Sequence, residues 1–557
     1  MTPPEGSTTT TSAAAAGADT AERPYVLIVS HALSGHLAPM MRIASSLRDR
    51  GWRVFFLGPT AHRARIEASG AVFLPLRGDA DLDDRAYYDP GHPPVPGYDA
   101  LPWYERVLVD LERQCIAPLP TQWACLREAL RDLYLLQARN SSSSGKPRQV
   151  LVLAEAFFLG ALPLRHGAPL LPLPSESESE SEMPRPRSIC VSVTVPAIRS
   201  RDLPPLGYTA FPFDASAAGR ERNAQLWTRS WARRAAPLTA LLAAKMREAG
   251  ATTEPWSNSA DGGEGVFLEG ENYLCHERIL QLGVPGFEYP RSDWPAGFRF
   301  AGLAQGGAVN KGQGKDPDFP WWPEIVANSA LERGDPRRKK VVVVTQGTVE
   351  INPEDLILPT IRAFDPSTLS SSSSSSSPSI SENDILIIAI LGWKDARLIY
   401  TRTNTDTTTV IATVADDRSE EQKESALPLP LPPNTRIADY LSYDAALAHA
   451  DVWVHNGGFG AVCHGIAHGV PMVVAGEGMD KGENARRVAW SGIGVDLGCA
   501  RPSTGQVREA IVRVLLGSRG DDTGERSFAE RVEVLRRESE ELDCGGIVEE
   551  ELLRLMG

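Results

Sequence analysis

Residues 450–471 read Ala450-Asp-Val-Trp-Val-His455-Asn-Gly-Gly-Phe-Gly460-Ala-Val-Cys-His-Gly465-Ile-Ala-His-Gly-Val-Pro471. The apolar run 452–454 is too short for a helix and reads as a buried strand. A glycine turn follows, then a helix from about Phe459 to His468. Gly469 is placed to cap that helix in the left-handed conformation, and Pro471 leads into a second strand, Met472-Val-Val-Ala475. Gly457 and Gly458 lack the side chains that would hold a ligand away from their backbone N–H groups. The start of the helix adds partial positive charge at the same point. Strand, glycine turn, helix and strand therefore make one α/β unit with a site suited to a pyrophosphate.

The same alternation extends in both directions. Lys340-Val-Val-Val-Val-Thr345 and Ile385-Leu-Ile-Ile-Ala-Ile390 are continuous apolar runs, as expected of strands buried on both faces of a parallel sheet. Nearer the N-terminus come Tyr25-Val-Leu-Ile-Val-Ser30, a polar loop, a helix from about Ala38 to Arg50, and Trp52-Arg-Val-Phe-Phe-Leu57. After these stand a helix over 61–69 and the runs Ala71–Leu76, Val150–Ala154 and Ile189–Thr194. Two Rossmann-like halves in one chain imply a cleft between them. The Gly- and Pro-rich stretch from about 286 to 317 marks the crossing. The expected organisation is a disordered tail (1–24), a first domain (25–290) and a second domain (291–557). Disordered insertions are expected near 140–147, 173–187 and 366–382, where serine runs and a Ser/Glu repeat cannot contribute to a core.

Composition narrows the function. The chain has 557 residues, a net charge of -14 and no basic stretch, so nucleic acid is not an expected partner. Its seven cysteines are scattered, with no spacing suited to zinc, and fit a reducing compartment. No run reaches the roughly 18 apolar residues of a membrane span, and residues 1–22 lack the features of a signal peptide. A cytoplasmic monomer without an integral membrane segment is the expectation.

Ligands of open α/β sheets bind beyond the carboxyl ends of the strands. The loop after the first strand is Ser30-His31-Ala-Leu-Ser-Gly35-His36-Leu-Ala-Pro39, which puts imidazoles at the mouth of the cleft. It is not G-x-G-x-x-G, which disfavours a NAD-type oxidoreductase.

Asn456 to Asn484, through Met479-Asp-Lys-Gly-Glu-Asn484, resembles the donor-binding signature of UDP-glycosyltransferases. The likeness extends to Tyr440–His449, to Thr345-Gln-Gly-Thr348 and to Ser-Gly-His36-Leu-Ala-Pro39. The resemblance implies the GT-B fold, an α/β architecture of two facing Rossmann-like domains with parallel sheets. It also implies an inverting, metal-independent reaction of secondary-metabolite type, with a UDP-sugar as co-substrate and no further cofactor. His36 matches the catalytic base, and an imidazole suits that task because its ordinary pKa lies near working pH. Glu155 stands where the family has the aspartate that supports the base, and its extra methylene changes the reach. Thr348, Gly457, Gly458 and Gly460 match the diphosphate site. Tyr440 falls where an aromatic ring lies under the uracil. Asn456 occupies a position usually held by histidine, the histidine here being His455. His464 replaces the usual ribose-binding glutamate or glutamine. Asp480 and Lys481 match an acid–amide pair that contacts sugar hydroxyls. His31 is off the matching position and reads as structural.

The acceptor is expected against the first domain, whose loops carry Tyr87, Tyr88, Tyr98, Trp103, Tyr104, Phe157 and Phe158. This lining favours a small lipophilic molecule with a hydroxyl, such as a polyketide, terpenoid or phenolic. The replacements at Glu155, Asn456 and His464 keep open a non-catalytic nucleotide-sugar-binding protein as the alternative.

Overall fold

The computed structural model describes residues 23–88, 93–140, 149–173, 183–208, 211–256, 265–304, 317–332, 334–347, 352–366, 380–392, 397–401, 409–413, 431–517 and 526–556. The three tracts expected as insertions, and Thr348, lie outside or largely outside them.

Two parallel sheets organise the chain. The first contains β1 (Val26–Val29), β2 (Val54–Gly58), β3 (Val72–Pro75), β4 (Leu151–Glu155), β5 (Arg187–Ser192), β6 (Arg278–Leu282) and β7 (Phe298–Gly302), in the order β3-β2-β1-β4-β5-β6-β7. The second contains β8 (Lys340–Thr345), β9 (Ile385–Ile390), β12 (Thr435–Ala438), β13 (Val452–His455), β14 (Met472–Val474) and β15 (Gly494–Asp496), in the order β12-β9-β8-β13-β14-β15. β10 (Arg397–Thr401) and β11 (Thr409–Thr413) form a separate antiparallel pair. The central strands are mostly apolar because helices cover both faces, and β1, β4, β9 and β13 are buried throughout.

The helices that matter for the site are α1 (Ser34–Asp49), α2 (Trp103–Asp110), α3 (Ala217–Gln225), α4 (Ala232–Glu248), α5 (Tyr443–Leu447), α6 (Phe459–His468), α7 (Lys481–Ser491) and α8 (Cys544–Met556). The helix expected over 459–468 and its Gly469 cap are both present, with Gly469 at φ 65°. α1 differs from expectation. It begins at Ser34 rather than near Ala38, so Gly35 and His36 lie in its first turn. Pro39 lies in its second turn and removes one N–H from the ladder.

The boundary expected at 290/291 needs correction. β7, at 298–302, pairs with β6 and completes the first sheet. The final helix then returns to the first half. On α8 the Leu555 carbonyl accepts from Arg187 Nη1 at 2.7 Å, and Glu550 and Glu551 meet Arg299 at 2.7 and 2.9 Å. Glycine and proline content marked a surface crossing, but strand pairing and these long-range ion pairs set which residues belong to which half. One contiguous apolar cluster, with Ile28 and Leu37 at one side and Val341 and Trp453 at the other, joins the two halves.

Candidate active site

In each sheet the strand order reverses once, between β1 and β4 in the first and between β8 and β13 in the second. Such a switch point leaves a crevice beyond the strand ends, because the connecting loops diverge to opposite faces. Here the two crevices open onto one cavity of about 540 Å³. His31, His36 and Phe157 line it from the first switch point; Thr345, Asn456, Gly458 and Gly460 line it from the second.

On the first-domain wall His36 Nδ1 lies 2.9 Å from Glu155 Oε1. Glu155 is the last residue of β4 and its side chain is completely buried. The extra methylene is accommodated by anchoring: Oε1 accepts from Phe157 N at 3.1 Å and Oε2 from His31 N at 3.2 Å. The His36 contact is close in distance but not aligned as a hydrogen bond, so Nδ1 is held by charge more than by direction. Burial would lower the pKa of His36. The Glu155 carboxylate outweighs it, Asp480 adds to the effect, and the imidazole ends above its ordinary value. Burial likewise pushes the Glu155 carboxyl up, but the two histidines and the Phe157 N–H hold it below the usual range.

His31 has a different role. Its Nδ1 accepts from Leu33 N and its Nε2 faces the Gln114 carbonyl, each at 3.2 Å, which fixes a neutral tautomer with the proton on Nε2. Burial first, and then the neighbouring His36, lower its pKa to about 4. It is a structural support for the loop, as the sequence suggested.

On the opposite wall the glycine turn leads into α6. Gly457 has φ 87°, and a Cβ there would stand 2.8 Å from the Lys481 carbonyl. Gly458 and Gly460 are different: a Cβ on either would meet nothing within 4 Å. Those two glycines face open space at a helix N-terminus, the arrangement that lets an anion reach backbone N–H groups. His455 is fully buried beneath the turn, accepting from Gly457 N at 3.0 Å, and burial lowers its pKa to about 3. Asn456 lines the cavity just after β13. Its Nδ2 donates to the Gln346 carbonyl at 2.5 Å and ties the ends of β13 and β8 together.

Tyr440 lies at the rim with 62% of its surface exposed, a large aromatic face presented to the cavity. His464 Nδ1 and His468 Nε2 both contact Asp444 Oδ1, at 2.9 and 3.0 Å, and Arg42 of α1 approaches Asp444 Oδ2 at 3.5 Å. Burial, only partly offset by Asp444, keeps the His464 pKa low. Asp444, His464 and His468 are the grouping among the described residues whose spacing would suit a metal ion. In this structure the three are satisfied as a hydrogen-bonded set. Asp480 caps α7 and bridges the domains: it accepts from Thr194 Oγ1, beyond β5, and from Asn484 Nδ2 at 3.1 Å. Lys481 lines the cavity beside it. The preceding Met479 is held at φ 44°, a conformation that a residue with a side chain adopts only under constraint.

Of the aromatics expected around the acceptor, Tyr88, Trp103, Tyr104 and Phe157 line the cavity. Tyr87 and Tyr98 stand behind them with their hydroxyls on Asp110, and Phe158 is core. The sequence reading missed Thr194, Asp444, Arg42 and Gln114. Thr194 follows a strand end and was open to inspection; Arg42 and Gln114 line the cavity from helices, and Asp444 stands behind His464, through packing that leaves no local signal.

Residues 399–534 match the pattern of the erythromycin biosynthesis protein CIII-like family, C-terminal domain. UDP-glucosyltransferase A1 of Starmerella bombicola is 28% identical over 497 residues, spanning 89% of this chain and 86% of that protein. UDP-glucosyltransferase 1 of Beauveria bassiana is 29% identical over 540 residues, 95% of each chain. The glycotransferase of kitacinnamycin superposes with a TM-score of 0.56 at 19% identity, over 96% of this chain and all of its own. The calicheamicin glycosyltransferase CalG4 gives 0.52 at 16% identity, over 96% and 99%. The chain is similar to UDP-glycosyltransferases over most of its length. Its fold is GT-B and it is a glycosyltransferase of the secondary-metabolite type. Among the described residues of this glycosyltransferase, no helix is long and apolar enough to cross a membrane.

Proposed function

We propose that the enzyme transfers a hexose, glucose first, from a UDP-sugar to a hydroxyl of a small lipophilic acceptor, with inversion at the anomeric carbon. The observation that carries this reading is the placement of the His36–Glu155 pair across one cavity from the open glycines of α6.

His36 takes the proton of the acceptor hydroxyl as its oxygen attacks the anomeric carbon, and the bond to UDP breaks on the opposite side. The imidazolium that forms is stabilised by the buried Glu155 carboxylate, as in other histidine–carboxylate pairs. Negative charge growing on the leaving diphosphate meets the backbone N–H groups around Gly458 and Gly460 and the positive end of α6. Thr348, outside the described residues, joins this group by its sequence position. Tyr440 stacks on the uracil, His464 faces the ribose, and Asp480 accepts hydrogen bonds from sugar hydroxyls with Lys481 beside it. Asn456 contributes by holding the turn. The aromatic wall of Tyr88, Trp103, Tyr104 and Phe157 supports an apolar acceptor. No divalent cation enters the scheme.

The test is turnover of radiolabelled UDP-glucose against a panel of polyketide, terpenoid and phenolic aglycones, with His36→Ala as the control. Loss of the base should lower kcat by at least ~10²-fold with little change in donor affinity. Near-normal turnover in that variant would remove His36 from the role.

A further inference from the structure

The first-domain side of the cavity is lined by aromatic and aliphatic side chains together with the charged Arg65, Asp84, Asp110 and Arg234, and at one polar place on it a buried atom is left without a partner. α2 ends in a π-helical turn, Leu111–Ile116, and α3 ends in another, Leu226–Trp231. Both turns supply cavity-lining side chains: Leu111, Gln114 and Cys115 from the first, Trp231 from the second. A π-turn inserts one extra residue into a helix and redirects the side chains around it, and such turns are frequent at functional sites.

Gln114 is the polar residue that the first turn brings to the cavity, and it is 3% exposed. Its Nε2 donates to the Tyr88 hydroxyl at 2.8 Å, while its Oε1 has no hydrogen-bond partner. The Tyr88 hydroxyl in turn accepts that bond and commits its own proton to no group in the described hydrogen bonds. Behind them, the Tyr87 and Tyr98 hydroxyls are satisfied by Asp110 at 2.8–2.9 Å, so the carboxylate is occupied. An unpaired buried carbonyl oxygen is costly unless a ligand or water completes it. What remains is one acceptor, Gln114 Oε1, next to one donor, the Tyr88 O–H. A hydroxyl both donates and accepts, so it satisfies the two together; neither an apolar edge nor an ether oxygen does.

The location ties this pair to the reaction. The backbone carbonyl of Gln114 lies 3.2 Å from His31 Nε2, and the His31 ring lies 5.3 Å from that of His36. The polar place is therefore one histidine removed from the base, on the acceptor side.

We propose that Gln114 and Tyr88 form a subsite for a second hydroxyl of the acceptor, so that the enzyme selects apolar aglycones carrying at least two hydroxyls. This rests on the functional reading above, since it assigns the first-domain side of the cavity to the acceptor. One hydroxyl reacts at His36; the other is held by Gln114 Oε1 and Tyr88 O–H and sets the orientation of the ring system.

The experiment uses the full-length enzyme and a matched set: 7-hydroxyflavone and the dihydroxyflavones bearing a second hydroxyl at each other ring position. Dissociation constants are measured by titration calorimetry in the presence of UDP, and kcat/KM with UDP-glucose. At least one dihydroxy compound should bind ~10-fold or more tightly than 7-hydroxyflavone, because a site built to bond a hydroxyl penalises the analogue that leaves its polar groups unpaired. Gln114→Leu should abolish that preference by weakening the dihydroxy compound alone, and Tyr88→Phe should reduce it. Gln114→Glu, which keeps an acceptor of the same length, should retain part of it. Equal binding of all members by the wild type, failure of every member to bind, or a preference that survives Gln114→Leu would overturn the subsite. Selective binding without glucose transfer would leave the subsite standing and count against the transferase reading instead.

Discussion

Replacing Glu155 with Gln removes one charge from a fully buried side chain whose Oε1 lies 2.9 Å from His36 Nδ1. An opposite charge at such distance favours an ionised partner by ~1–3 pKa units. At 1.36 kcal/mol per unit, this is ~1.4–4 kcal/mol of support for the imidazolium. The sign follows from the balance of effects on His36. Burial lowers its pKa and Glu155 is the largest influence raising it, so the variant base has a pKa below that of the wild type. The acid limb of the pH–rate profile should therefore move to lower pH by ~1–3 units. Turnover on the plateau should fall by ~10- to 10³-fold, because the cation formed in the transition state has lost its counter-charge. The assay is initial-rate transfer from UDP-glucose across pH 5–9, read as kcat so that donor affinity does not enter. Glu155 also accepts from the His31 and Phe157 N–H groups, and one amide oxygen cannot serve both, so thermal unfolding is followed in parallel. Glu155→Asp, which keeps the charge but shortens the reach, should lose less than the Gln variant. An acid limb that stays in place or rises in Glu155→Gln, with the variant folded, would show that the carboxylate does not support the base by its charge.

Two glycines of one turn should respond in opposite ways. Gly457→Ala must place a Cβ at φ 87° and 2.8 Å from a carbonyl oxygen, and should destabilise the fold by at least ~2 kcal/mol in chemical denaturation. Gly460→Ala has open space and should leave stability unchanged, yet raise the KM for UDP-glucose ~10-fold by obstructing the diphosphate; an unaltered KM would move the diphosphate elsewhere. Under the proposed mechanism, in which the helix terminus and glycine N–H groups carry the leaving-group charge, dialysis against EDTA should leave transfer at its original rate; activity that is lost and then restored by magnesium or manganese would refute this.

Much of the scaffold was legible because its signals are local. Runs such as Val341–Val344 and Ile385–Ile390 are apolar at every position, which only a strand covered on both faces requires, and β8 and β9 occupy those stretches. Gly469 marked the end of α6 because a left-handed cap is cheap only for glycine. The shorter, polar strands β6, β7, β12 and β15 gave no such signal. β7, Phe-Arg-Phe-Ala-Gly, owes its place to pairing with β6 and to contacts made by α8 some 250 residues later.

The site divides in the same way. His36, Glu155 and the glycines stood out because strand ends and turns at switch points carry residue types that the ladder itself does not need. The sequence alone determined that an imidazole, a carboxylate and a glycine turn opening a helix exist at three strand ends. Tertiary structure decided what they face. It put His36 on Glu155 although 119 residues separate them, turned Asn456 onto the Gln346 carbonyl, committed His464 to Asp444, and joined Asp480 to Thr194 across the domains. The physical reason is that strand and turn formation depend on residues within a few positions of each other. The direction of a side chain's hydrogen bond depends on which distant groups the two sheet orders bring within 3 Å of it.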